Sequence, residues 1–163
     1  MQHARHLEQT NFIQSYIPFD KKHGEYYKVI DEFCLFYLSW LAEKKNSLFA
    51  NDYWIQQTKK PVYQVWTGYA FEAICYKHTD QIIHALNIKS ADTIPSWRLI
   101  PKNENEEGSQ IDLLVDRSDN SITLCEIKYT NKPFIITKQY AEILRRKIET
   151  FKKKTQKQKN KFS

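Results

Sequence analysis

The stretch GSQIDLLVDRSDNSITLCEIKY, from Gly108 to Tyr129, decides the fold. Two apolar runs, Ile111–Val115 and Ile122–Ile127, flank the turn-forming residues Ser118, Asp119 and Asn120, and together they predict a β-hairpin. Successive strand residues point to opposite faces, so Glu126 and Lys128 must share one. With a three-residue loop at 118–120, Arg117 lies opposite Ser121 and Asp112 opposite Glu126. Ile111, Leu113, Val115, Cys125 and Ile127 then fall together on the other face. A two-residue turn shifts the register by one and sends Asp112 to the wrong side. Hydrophobic pattern and chemistry therefore favour the same odd-numbered loop.

Two carboxylates and an ammonium on one face of adjacent strands are costly to desolvate unless something holds them. A divalent cation would do so. Asp112 and Glu126 supply hard oxygen ligands suited to Mg²⁺ or Mn²⁺, with coordination positions left for water and a phosphate oxygen. Lys128 would then orient or deprotonate the attacking water, or offset charge growing on phosphorus. The plainer alternative is a structural salt bridge on a half-exposed hairpin.

Asp112 followed by Glu126-x-Lys128 across a hairpin resembles the PD-(D/E)xK nuclease superfamily. The wider wording (WTGYAFEAIC from Trp66, GSQIDLLVDR, CEIKY and ITKQYAEILRRK) is similar to the nuclease-like C-terminal domain of a group of prokaryotic AAA-type ATPases. The resemblance covers about residues 60 to 155. It implies an α/β, restriction-endonuclease-like αβββα core and metal-dependent hydrolysis of phosphodiesters in nucleic acid, DNA ahead of RNA. It also implies a helix carboxylate near the metal, a position matched by Glu72, so that Asp112, Glu126 and Glu72 form the metal set and Lys128 assists. By the same resemblance Lys138 and Tyr140 line the rim, and Gln110 reaches a phosphate or the metal-bound water. The alternative is a catalytically inactive module that binds nucleic acid or a partner, or regulates an attached ATPase.

The three glycines are too few for a Gly-rich phosphate loop, and no GxxxxGK[ST] occurs, so the ATPase engine of the resembling proteins is absent from this sequence. Cys34, Cys75 and Cys125 are odd in number, far apart and set in apolar sequence, which predicts buried reduced thiols and a cytoplasmic protein. No stretch reads as a membrane span or a signal peptide. The net charge of +6 is uneven: from Lys138 to Lys161 ten Lys/Arg face two Glu, a local +8, which leaves the remainder at −2. A basic stripe suits a phosphate backbone. Arg145, Arg146 and Lys147, inside the patterned helix, and Lys138 at its start are the candidate contacts. The tail lysines read as a solvated helix end.

Ahead of the core, Phe12–Phe19 and Tyr26–Asp31 flank Asp20–Gly24 as a second hairpin. Asp31 is an N-cap for a helix over Glu32–Lys44 with a stripe of Phe33, Phe36, Tyr37, Trp40 and Leu41. That wording resembles the wing of a winged-helix domain and the linker after it, and such a hairpin must pack on the main domain or stay loose. The expected layout is a winged-helix remnant over 1–45, a linker over 46–61 and a nuclease-like domain over 62–163. One helix is expected over Gly68–Leu86, its packed side formed by Phe71, Ile74, Cys75, His78, Ile82 and Leu86. A strand is expected over Thr93–Pro101, and a helix capped by Thr137 over Lys138–Lys154. The final strand of the αβββαβ core is missing, which predicts a truncated or degenerate copy and an open sheet edge that recruits a partner.

Overall fold

The computed structural model describes residues 2–19, 21, 23–42, 52–89, 91–104 and 106–159. Parts of the expected first turn (Asp20 and Lys22), of the second helix and linker (43–51), and the tail 160–163 lie outside the described residues. The chain is mixed α/β, with small antiparallel sheets. Helix α1 (Gln2–Gln9), which the sequence pattern did not signal, precedes the hairpin β1 (Ile13–Tyr16) and β2 (Tyr26–Val29). Then follow α2 (Glu32–Phe36), continued as a π-helical turn over Tyr37–Leu41, α3 (Tyr53–Thr58), α4 (Pro61–Lys77) and α5 (Thr79–Ala85). The strands β3 (Ala91–Ile94), β4 (Trp97–Leu99), β5 (Ser109–Ile111), β6 (Leu113–Arg117) and β7 (Ile122–Cys125) lead to α6 (Lys138–Lys159).

The β6–β7 hairpin takes the expected register. Leu113 pairs with Cys125 and Asp116 with Ile122. The Arg117 amide donates to Ser121 at 2.9 Å across the loop 118–120, whose last residue, Asn120, has φ 61°. A left-handed third residue is what a three-residue hairpin loop requires, and Asn tolerates it. β3 pairs on the other side of β6, so β6 is the central strand and Leu113, Leu114 and Val115 are fully buried.

Two helical layers cover the two faces of this strand. Leu113 and Val115 pack with Tyr76 of α4 and Ile83 of α5; Leu114 packs with Trp97, Ile111 and Phe151 of α6. Ile111 thus lies on the α6 side, not with Leu113 and Val115 as strict alternation predicts. The chain bends at Asp112, between β5 and β6, and the bend resets the alternation. The expected strand over Thr93–Pro101 is likewise two strands, split at Pro95 and Ser96 (φ 85°), and each pairs elsewhere: β3 with β6, β4 with β5. Among the described residues the strand pairs are antiparallel.

Local signals set the helix starts. Asp31 Oδ1 accepts from the Cys34 amide at 2.7 Å, Thr137 Oγ1 from the Tyr140 amide at 3.2 Å, and Pro61 stands at the first position of α4. α4 begins earlier than expected and ends at His78, where φ −109° and ψ 26° break the helix. Its packed side is Thr67, Ala73, Tyr76 and, at the start of α5, Thr79, whereas Ile74 and Leu86 are exposed. The break rotates α5 relative to α4, so a stripe drawn through both selects the wrong residues. Within the expected linker α3 is helical, and Trp54 joins Phe36, Trp40, Tyr63 and Trp66 in an edge-to-face cluster that ties α2 to α3 and α4. Of the aromatic stripe, Phe36 and Trp40 pack in this cluster, whereas Phe33 is 69% exposed and stacks on Tyr37. The N-terminal hairpin is docked, with Phe19 against Phe151 at 5.4 Å between ring centroids.

β7 pairs with β6 alone among the described residues. Beside it runs an apolar groove of about 480 Å³ lined by Phe19, Ile122, Leu124, Ile148 and Phe151.

Leu114→Ala is expected to cost about 2–5 kcal/mol, because its closely packed surroundings leave a cavity. Ile100→Ala, at a residue 70% exposed, should stay within about 0.5 kcal/mol. Paired urea titrations check both.

Candidate functional site

Asp112 is the pivot. Its position in the bend between β5 and β6 buries it to 5% exposure, yet leaves its carboxylate aimed along the hairpin. Oδ2 accepts from the Ile127 backbone amide at 2.9 Å, and Oδ1 lies 3.5 Å from the Gln110 side-chain Nε2. The ladder ends at Leu113–Cys125, so a side-chain oxygen satisfies a backbone N–H where the strands part. The Asp112 carbonyl accepts from the Tyr76 hydroxyl of α4 at 2.7 Å.

The same hydroxyl lies 3.4 Å from Glu72 Oε2, one helical turn earlier on α4. Helix and hairpin thereby bring Glu72 and Asp112 into one electrostatic neighbourhood. Burial, and then the charge of Asp112, push the Glu72 carboxyl above its ordinary value; Lys28, Tyr76 and Lys128 oppose the rise. Burial, followed by Glu72 and Asp112, raises the Tyr76 phenol beyond the usual tyrosine range, so it remains a hydrogen-bond donor.

Glu126 sits just past β7, its side chain 15% exposed. Oε1 pairs with Lys147 of α6 at 2.6 Å, while Oε2 lies 3.7 Å from Lys128 and 3.4 Å from the Tyr140 hydroxyl. Burial works to lower the Lys128 ammonium, but Tyr140, Asp112 and Glu126 together hold it above its ordinary value. Lys128 therefore faces both hairpin carboxylates as a permanent cation.

The expected residues are thus gathered, but not as a three-carboxylate cluster. Among the described residues no group of three His, Cys, Asp or Glu is positioned to share a metal. The chemistry of the donor set still fits one weakly held hard cation. Asp112 and Glu72 are oxygen donors, burial and then the charge of Asp112 raise the cost of ionising Glu72, and Mg²⁺ commonly takes one or two carboxylates and keeps several waters. Glu126 would join them only on release from Lys147.

The basic residues divide. Arg145 and Arg146 are exposed on α6, with Arg146 3.8 Å from Glu107, and Lys138 is exposed at the helix start. Lys147, expected to face nucleic acid, is turned inward onto Glu126 and only 25% exposed. Lys154 pairs with Glu106. The three cysteines are free and half-buried, and no described helix is long and apolar enough to cross a membrane.

Three contributions were not read from the sequence. Tyr76 is four residues after Glu72, and that spacing, which places both on one face of a helix, was the available signal. Lys147 carried a signal only as positive charge. Lys28 belongs to the N-terminal hairpin, and its ammonium stands 3.7 Å from the centroid of the Tyr76 ring. Burial lowers its pKa, opposed by the charges of Glu72 and Asp112.

The Glu72 shift has a measurable sign. A carboxyl whose pKa is higher folded than unfolded binds more protons in the folded state across the intervening pH range. In metal-free buffer its contribution to stability should therefore fall as pH rises from about its ordinary 4.5 through the raised value, and stay lower above it. Glu72→Gln should remove that slope and leave stability at pH 7 equal or higher; thermal melts across the range check it.

Comparison of the chain with protein-family models, curated proteins and solved structures finds no match. The reading of the site rests on its own residues.

Proposed function

We propose that the chain is a restriction-endonuclease-like domain whose site performs metal-dependent hydrolysis of phosphodiester bonds in nucleic acid. The observation that carries the reading is the convergence of Asp112 and Glu72, from hairpin and helix, on the Tyr76 hydroxyl, with Lys128 3.7 Å from Glu126 on the same hairpin. Asp112 and Glu72 would hold a hydrated Mg²⁺ or Mn²⁺, which when bound supplies Lewis-acid activation of a phosphate oxygen. The elevated pKa of Lys128 makes it a poor base at neutral pH. Its part is to orient the attacking water and to offset negative charge developing on phosphorus. Tyr140, in contact with Glu126 and coupled to Lys128, limits where that ammonium stands. Tyr76 fixes the Asp112 backbone and keeps the helix carboxylate in register with the hairpin. Arg145, Arg146 and Lys138 would draw the phosphate backbone toward the site.

A second reading has its own observation. Glu126 is engaged by Lys147, Lys128 and Tyr140, and an engaged carboxylate fits a module that binds nucleic acid or a partner without cleaving. An ATPase as that partner remains part of this second proposal.

Incubation of the chain with DNA and with RNA, with Mg²⁺ and with chelator, separates the two. Hydrolysis should require metal and fall about 10²-fold or more in Asp112→Asn and Lys128→Ala, with binding retained in Lys128→Ala. Binding without metal-dependent cleavage in the unaltered chain would favour the second reading. Under either, Arg145→Glu with Arg146→Glu should weaken binding and reduce its salt slope by about 1 for each phosphate that is no longer neutralised.

A further inference from the structure

Lys28 brings an ammonium to the neighbourhood of the Glu72–Asp112 pair from a hairpin outside the core sheet. Among the described residues its strand, β2, pairs only with β1, where Lys28 stands opposite Gln14, so the residue belongs to a separate hairpin that meets α4 at Tyr76. The ammonium rests on the Tyr76 ring at 3.7 Å, and the hydroxyl of that ring touches both Glu72 and the Asp112 carbonyl. A cation on an aromatic face is held by the ring quadrupole and needs no carboxylate contact. Its charge nevertheless acts on both carboxylates.

We propose that Lys28 is a positioning residue for the candidate metal site: a tethered counter-cation that neutralises the Glu72–Asp112 pair from the N-terminal hairpin and competes with a divalent ion for it. The inference rests on the reading that this pair binds metal. A second positive charge brought to the pair must work against one already there, so metal affinity is lower with the hairpin docked than with it displaced. By linkage, an ion bound at the pair weakens the hold of the hairpin on α4 by the same factor. Docking of β1–β2 and occupancy of the site are thus antagonistic, and a ligand that draws the hairpin away from α4 would raise the affinity for the ion.

Titration of the full chain with Mn²⁺, followed by the decline of the free-ion electron paramagnetic resonance signal, tests this without reference to activity. Lys28→Met should bind Mn²⁺ about tenfold more tightly than the unaltered chain, equivalent to about 1.4 kcal/mol, and the charge-keeping Lys28→Arg should restore the original affinity. Lys28→Gln provides the same comparison where the methionine variant fails to fold, with circular dichroism as the check on folding. Asp112→Asn should abolish binding in every background. Equal or weaker binding by Lys28→Met and Lys28→Gln, with binding still abolished in Asp112→Asn, overturns the role of Lys28 and leaves the metal site standing. Binding that survives Asp112→Asn, or no binding by any variant, overturns both.

Discussion

The structure depends on how Asp112 is tied at the bend between β5 and β6. Its carboxylate closes the hairpin through the Ile127 amide, and its carbonyl receives the Tyr76 hydroxyl from α4. One residue thus links the central strand, the strand leaving the sheet and the helix above them. A buried carboxylate deprived of the Ile127 donor would carry its full desolvation cost. The arrangement therefore over-determines the bend. The bend in turn sends Ile111 to the α6 layer and Leu113 to the α4–α5 layer, so that β5 and β6 serve different pairings.

The site inherits its character from this joint. Hairpin and helix bring two carboxylates close enough for one to raise the other, and the surrounding positive charge comes from separate parts of the chain. Lys128 follows the hairpin, Lys147 comes from α6 and Lys28 from the N-terminal hairpin. The positive charges are not equivalent. Lys147 makes a short ion pair with Glu126, Lys128 stands 3.7 Å from the same carboxylate, and Lys28 lies on an aromatic ring.

Stability comes chiefly from elsewhere. Leu113, Leu114 and Val115 are enclosed on both sides, and the edge-to-face aromatic cluster of Phe36, Trp40, Trp54, Tyr63 and Trp66 forms a separate apolar support for α2, α3 and α4. Removing the polar joint therefore alters geometry more than it empties the core. The opposite holds at β7, where apolar side chains of strand and helix line an open groove.

The hairpin register, its loop length, the caps at Asp31 and Thr137 and the grouping of Asp112, Glu126 and Lys128 were legible in the sequence, because each rests on short-range stereochemistry. Strand alternation, a left-handed Asn in a tight loop and a side-chain oxygen over a helix start involve few residues, all close in the chain. The bend at Asp112 was not legible, since a carboxylate standing in for a backbone acceptor leaves no mark on an apolar run. Nor was the break at His78, which turned the expected packed side of α4 and hid Ala73 and Tyr76. Partner choice among the charges lay furthest from view. Lys147 reads as one more basic residue on a basic helix, and Lys28 as a lysine in an ordinary strand. Only the packing of α6 and of the N-terminal hairpin against the core decides which carboxylates they meet, because Coulomb interactions are set by distance in space and burial, neither of which is written in local sequence.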